Sequence, residues 1–191
     1  MRPKSDNTPG KVRIIGGRLR GSRLDVADAP GLRPTPDRVR ETLFNWLMPI
    51  IDGAQCLDLF AGTGALGIEA LSRGAAAVDF VETDAKLVQA LRANLSRLKQ
   101  DATVARADAA AFLAGSQAQY DIVFLDPPFT AQLWTTIAQQ LLQHGRLKPD
   151  AWLYVESPAQ EIPALPADFQ LHRQGTAGAV RYALYRRSAN L

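Results

Sequence analysis

Asp126 is followed by Pro127, Pro128 and Phe129, a run that supplies hydrogen-bond acceptors without donors. Neither proline has an N–H, so the local carbonyls and the Asp126 carboxylate only accept, and they do so from a stiff backbone. Such a site recognises an amine. The amine of a nucleobase is a poor nucleophile because its lone pair is delocalised into the ring. Binding its two N–H groups to Asp126 and the Pro127 carbonyl favours a pyramidal nitrogen with the lone pair aimed at an electrophile.

The second constellation is DLFAGTGALG at 58–67. Gly62 and Gly64 let backbone approach a ligand closely, and Gly67 lets a helix pack on a strand. Glu82 is spaced to end the next strand, where it can accept from both hydroxyls of a ribose. A dinucleotide site shows the same glycines and the same acid, so these residues alone leave two ligand classes open. Asp108 ends a third strand and fits either of two roles, acceptor for an adenine amine or helix N-cap.

These residues need a parallel sheet to bring them together, and the pattern predicts one. From Gln55 the chain alternates apolar runs with helical periodicity: CLDLF, AAVDFVE, TVARAD, YDIVFLD and AWLYVES as strands, with helices in ALGIEALSR, DAKLVQALRANLSRL, AAAFLAG and AQLWTTIAQQLLQHG. Such alternation means right-handed crossovers and helices on both faces. Ligands then bind beyond the carboxyl ends of the strands, where each motif falls. DFQLHRQG and GAVRYALYRR leave no room for a crossover helix and should pair antiparallel at one edge. Cys56, Trp46, Trp134 and Trp152 are expected in the core, and His144 and His172 are expected to be solvated or structural.

Ahead of this unit, residues 1–11 read as a flexible basic arm and 12–50 as an extension of hairpin, stiff loop and helix. VRIIGGRLRGSRLDV predicts a two-stranded element whose Arg13, Arg18, Arg20 and Arg23 are too many to bury. GLRPTP delivers a helix over 36–47 with Thr35 as N-cap and Pro36 in the first turn. Val39, Leu43, Trp46 and Leu47 form its apolar stripe. Arg38, Glu41 and Asn45 share the opposite side, facing either a ligand or solvent.

The 191 residues, 47% hydrophobic and 21% charged, fit one globular domain with a small appendage. A single cysteine excludes a disulfide framework and a zinc cage. No apolar stretch approaches the roughly 18 residues of a spanning helix, and no leader is visible, so a cytoplasmic protein without membrane attachment is expected. The net charge of +3 hides an asymmetry: residues 1–40 hold ten Lys/Arg against four Asp/Glu, and residues 41–191 hold twelve against fifteen. A basic N-terminal segment on a mildly acidic body points to a polyanion partner, with a solvated basic tail as the alternative.

DLFAGTG, VETD and DPPF, in that order and spacing, resemble the class I S-adenosylmethionine-dependent methyltransferases. VRIIGGRLRG, GLRPTPDRVRETLFNWL, LSRGA and GAVRYALY resemble more narrowly the bacterial 16S ribosomal RNA guanine-966 N2-methyltransferases. The likeness spans about residues 12–187. It implies a Rossmann-like α/β fold, with a seven-stranded, mostly parallel sheet ending antiparallel and a small N-terminal hairpin, and 51–191 as the methyltransferase domain. It implies S-adenosylmethionine held by Asp58, Phe60, Gly62, Thr63, Gly64, Glu82, Asp108 and Ala109, S-adenosylhomocysteine as product, no metal, and catalysis by Asp126, Pro127, Pro128 and Phe129. RNA contacts are expected from Arg13, Arg18, Arg20, Arg23, Arg33, Thr35, Arg38, Arg40 and Asn45, in a monomer acting on naked 16S RNA or on a partly assembled small subunit. DPPF is shared with adenine-N6 methylases of DNA or RNA. The rivals of other classes are a noncatalytic RNA-binding assembly factor and a nucleotide-dependent oxidoreductase, the latter without a hydride-transfer constellation.

Overall fold

The computed structural model of the chain describes residues 10–188, so the expected arm at 1–11 lies almost wholly outside the described residues. β1 (Lys11–Arg13) and β2 (Arg23–Asp25) form the hairpin, with Val12 opposite Leu24. α1 (Asp37–Leu47) follows the proline-rich loop. β3 (Gln55–Asp58), α2 (Ala65–Ser72), β4 (Ala77–Glu82), α3 (Ala85–Arg97), β5 (Thr103–Arg106), α4 (Ala109–Gly115) and β6 (Tyr120–Leu125) then alternate as the periodicity predicts. A 3₁₀ turn (Phe129–Ala131), α5 (Trp134–Gln143), β7 (Leu147–Pro158), β8 (Phe169–Ala177) and β9 (Val180–Arg187) complete the described chain.

The seven-stranded sheet has the order β5-β4-β3-β6-β7-β9-β8. β5 to β7 pair in parallel, while β9 pairs antiparallel with both β7 and β8. After β3 the order runs outward to β4 on one side and to β6 on the other, which makes the carboxyl ends of β3 and β6 the switch point where an open α/β sheet binds ligands.

Strand alternation sorts the core into two layers. Cys56, Phe80, Ile122, Phe124, Tyr154 and Leu184 face α1, α2 and α3, meeting Val39, Leu43, Phe44, Ile68 and Leu91. Leu57, Val81, Val123, Leu125, Leu153 and Val155 face α4 and α5, meeting Leu113, Trp134, Ile137 and Leu141. Asp58, Asp126 and Glu156 share parity with the first set. They therefore project on the α1 side of the sheet, at its carboxyl edge.

The hairpin is bolted to the underside of that layer. Glu69 on α2 is fully buried and its carboxylate accepts from Ile15 N (2.9 Å), Gly16 N (2.8 Å) and Arg73 Nε (2.9 Å), with Arg40 Nη1 at 3.5 Å. Arg18 N donates to Ser72 O at 2.8 Å and Leu19 N to Ser72 Oγ at 2.9 Å. Gly17 sits at φ +73°, where a Cβ would lie 1.9 Å from Ser72 O, so only glycine allows this approach.

Four expectations change. Thr35 does not cap α1: the helix begins at Asp37, Pro36 precedes it without a side-chain cap, and the Thr35 hydroxyl is committed elsewhere. The helix of the AQLW segment starts only at Trp134, because the double proline first turns the chain through 3₁₀ geometry. Trp152 is half-buried rather than in the core, its ring edge-on to His172 at 4.9 Å and under the Arg186 guanidinium. Trp46 is also half-buried, stacked on Tyr182 at 5.5 Å, while Phe44 takes the interior place on α1. Cys56 and Trp134 are buried as expected.

Candidate active site

At the carboxyl edge of β3, the loop 59–64 turns the chain into α2 through two left-handed glycines, Gly62 at φ +54° and Gly64 at φ +76°. Gly64 is left-handed, so a side chain there would strain the backbone, and its Cβ, 2.3 Å from Leu91 Cδ1, would also push that side chain aside. Asp58 is buried and its Oδ2 accepts from Gly67 N at 3.1 Å. Burial, with the nearby charges of Glu82 and Glu156, outweighs that hydrogen bond and pushes its pKa up to about 7.

Glu82, at the end of β4, is held by three backbone N–H groups: Thr83 N (2.8 Å) and Asp84 N (2.9 Å) on Oε1, and Gly62 N (2.9 Å) on Oε2. It thereby ties the glycine loop to the second strand and keeps lone pairs for a diol. Asp108 takes the capping role, its Oδ1 accepting from Ala110 N (2.9 Å) and Ala111 N (3.2 Å). Its second oxygen remains for a ligand. Phe60 and Thr63 lie in the same loop, and Ala109 opens α4 beside Asp108. The pieces expected to hold a methyl donor thus meet along β3, β4 and β5, and they fit it: acids toward hydroxyls and amines, glycines where backbone must approach.

Asp126 follows β6 directly. It is half-buried, and among the described residues its carboxyl group takes part in no hydrogen bond or ion pair. The Pro128 carbonyl accepts from Ala131 N at 2.9 Å, whereas the Pro127 carbonyl has no donor among the described residues. Burial, then the charges of Glu156 and Asp58, hold the Asp126 carboxyl well above the usual carboxylate range. Phe129 is half-buried beside Trp134, ring centres 6.2 Å apart.

Sequence reasoning missed Glu156. Leu125 pairs with Val155, so Asp126 and Glu156 stand side by side on adjacent parallel strands. Glu156 is 4% exposed, and its Oε1 accepts from Thr35 Oγ1 (2.7 Å) and Tyr154 OH (2.9 Å). Burial raises its pKa against those two hydrogen bonds. Trp134 Nε1 donates to its main-chain oxygen at 2.7 Å, pinning the end of β7 to α5. A signal existed: Glu156 is the one acid in AWLYVES, at the same strand end as Asp126.

Of the residues expected to contact RNA, Arg13, Arg18, Arg20, Arg23, Arg33, Arg38 and Asn45 are exposed. Arg13, Arg20, Asn45 and Arg73 line a cavity of about 360 Å³ between the hairpin and α1. Arg40 and Thr35 are corrected. Arg40 is fully buried, donating to Thr35 O (3.2 Å), Arg13 O (2.9 Å) and Asp37 Oδ1 (2.6 Å) besides Glu69, so no face of it is left for a phosphate. Thr35, also buried, belongs to the Glu156 cluster.

Comparison with known proteins places this geometry. The family described as "Conserved hypothetical protein 95" matches residues 12–186. Ribosomal RNA small subunit methyltransferase D of Escherichia coli is 49% identical over 191 residues, covering 99% of this chain and 96% of that protein. Its Haemophilus influenzae namesake is 45% identical over 187 residues, covering 95% and 97%. The solved Escherichia coli structure of yhhF, assigned as a methyltransferase, superposes with a TM-score of 0.87 at 48% identity, covering 95% of this chain and all of that one.

Proposed function

Because the chain belongs to the Conserved hypothetical protein 95 family and is a methyltransferase of small-subunit ribosomal RNA, we propose that it methylates the exocyclic N2 of a guanine in 16S ribosomal RNA. The methyl donor is S-adenosylmethionine, which when bound supplies an electrophilic sulfonium methyl group. Glu82 and Asp108 orient the donor's sugar and base from β4 and β5, and the loop 59–64 receives it at the switch point.

Asp126 and the Pro127 carbonyl carry the reading: two adjacent acceptors without donors, on the strand beside the glycine loop. They bind the two N–H groups of the amine and direct its lone pair along the line of the sulfur–methyl bond. The N–CH₃ bond forms as the S–CH₃ bond breaks, leaving a thioether and a methylated amine that sheds one proton. The raised pKa of Asp126 makes it a better recipient of that proton than an ordinary aspartate, while it remains far too weak to deprotonate a neutral base amine beforehand. Catalysis is thus mainly positioning and exclusion of water.

The exposed arginines of the hairpin and of the loop before α1 supply the RNA-facing surface, and the substrate is RNA within a partly assembled small subunit or free of it. The test is transfer of tritiated methyl from S-adenosylmethionine to unmethylated small-subunit RNA and to subunits, with the product nucleoside mapped by mass spectrometry. N2-methylguanosine at one position supports the reading, and N6-methyladenosine or no transfer overturns it.

A further inference from the structure

The side chains at the ends of β6 and β7 accept more hydrogen bonds than an adenine amine can donate. Among the described residues Asp126 and the Pro127 carbonyl accept no hydrogen bond, and Glu156 uses only Oε1, for Thr35 and Tyr154. Glu156 Oε2 takes part in no hydrogen bond among the described residues. The buried side-chain atoms that are both sealed and unbonded are Gln140 Oε1, Arg181 Nη1 and Arg187 Nε. Oε2 is not among them, so this oxygen keeps some contact with solvent at the carboxyl edge of the sheet. It lies on the same sheet face as Asp126, one strand away, a spacing of about 4.8 Å between neighbouring strands.

An acceptor left without a donor once a bound base has displaced its water is costly, and a partner that fills all such acceptors is selected over one that does not. The edge of guanine around its 2-amine carries three N–H donors in a row, two on N2 and one on N1. Adenine around its 6-amine carries two, and its N1 is an acceptor that would meet the Glu156 oxygen with no hydrogen between them.

Resting on the N2-methylation proposed above, we infer that Glu156 is the guanine-selecting residue, its free Oε2 accepting the N1–H while Asp126 and the Pro127 carbonyl hold the amine. Thr35 and Tyr154 fix the carboxyl group by its other oxygen, so Oε2 is pre-aimed rather than found by rotamer search. Thr35 is itself placed by the Arg40 bond to its carbonyl. The proline-rich loop ahead of α1 thus contributes to base choice without touching the base.

The discriminating probe is 2-aminopurine, which keeps the 2-amine but has an unprotonated N1. Small subunits are reconstituted with ligated RNA carrying guanine or 2-aminopurine at the position mapped by mass spectrometry, and single-turnover methyl transfer is measured for wild type and Glu156→Gln. The Gln side chain can accept Thr35 and Tyr154 through its oxygen and present N–H to the base. Wild type should prefer guanine by ~10²-fold or more, since 2-aminopurine leaves an acceptor of the site without its donor. Glu156→Gln should bring the ratio to within about tenfold of unity by losing guanine rate and gaining 2-aminopurine rate, with donor affinity by calorimetry unchanged.

Equal losses on both substrates, or an unaltered ratio, overturn the inference while leaving N2-methylation standing. Absence of N2-methylguanosine with wild type overturns both.

Discussion

Glu69 and Glu156 are both buried acids facing the α1 side of the sheet, and they are handled in opposite ways. Glu69 meets two guanidinium groups and two backbone N–H groups, so both its oxygens are filled from within the chain. Among the described residues Glu156 pairs with no cation, the charges near it are Asp126 and Asp58, and one of its oxygens accepts no hydrogen bond. The first arrangement is stable by itself. The second leaves an acceptor that a donor-rich ligand can fill. A saturated buried acid marks where the fold is fastened, and an unsaturated one marks where a substrate is awaited.

The sharpest way to break this contrast is at Asp126. Asp126→Ala should lower single-turnover methyl transfer by about three orders of magnitude, the scale on which losing preorganised polar stabilisation acts. Donor affinity measured calorimetrically should change less than about threefold. A variant that keeps most of its rate would remove the amine-orienting role.

Asp58 tests the unsaturated side through stability. Its pKa rises on folding from the ordinary 3.8 to about 7, so the folded state holds a proton that the unfolded chain has released. Its contribution is whole below about pH 4 and is lost as pH rises toward 7, by up to the order of 4 kcal/mol at about 1.4 kcal/mol per pH unit. Asp58→Asn keeps an oxygen for Gly67 N. It should flatten unfolding free energy across pH 4 to 7 in chemical denaturation, relative to wild type. A wild-type profile equally flat in that window would show that the fold tolerates the acid without strain.

Glu69→Gln tests the saturated side. It removes the charge that Arg40 and Arg73 share while Arg40 keeps Asp37, so the cost should lie at or below the low end of the roughly 3–5 kcal/mol for breaking a buried pair. Hydrogen exchange should show the loss first at Ile15 and Gly16, the two N–H groups that Glu69 holds, while donor binding at low temperature survives. Loss of donor binding with the hairpin still protected would contradict the division between fastening and function.

A smaller effect joins the two acids of the active site. The Glu156 charge helps hold Asp126 above the ordinary range, so the acid limb of the pH–rate profile should lie above that range in wild type. It should move to lower pH in Glu156→Gln. A limb that stays put would mean that the two carboxyls titrate independently.

The sheet was legible in the sequence because each strand is a short apolar run closed by a turn or helix signal, and strand parity then follows from period two. The place of Asp126 to Phe129 at the carboxyl end of β6 was legible because an apolar run closed by an acid and two prolines ends a strand there. Glu156 was not, since its role depends on β7 lying beside β6 in one register, a long-range pairing that no local pattern encodes. Arg40 misled for the same reason. In sequence it is one more arginine in a basic segment, and only the docking of α1 against α2 encloses it.

That enclosure reorders the expectation for the remaining arginines. Arg18 is exposed, but its guanidinium already donates to Leu71 O and Gln100 Oε1, so part of its work is to fasten the hairpin. Arg20 and Arg23 are exposed with no side-chain partner among the described residues, which leaves their charge available to phosphate. Neutralising Arg20 and Arg23 to Gln should therefore lower the slope of log affinity for RNA against log salt by roughly 0.7–0.9 for each phosphate no longer neutralised. Arg18→Gln should change the slope less and thermal stability more. Equal slopes for the three single variants would mean that the internal bonds of Arg18 give way when RNA binds, and the line between fastening and recognition would then run through that side chain rather than between it and its neighbours.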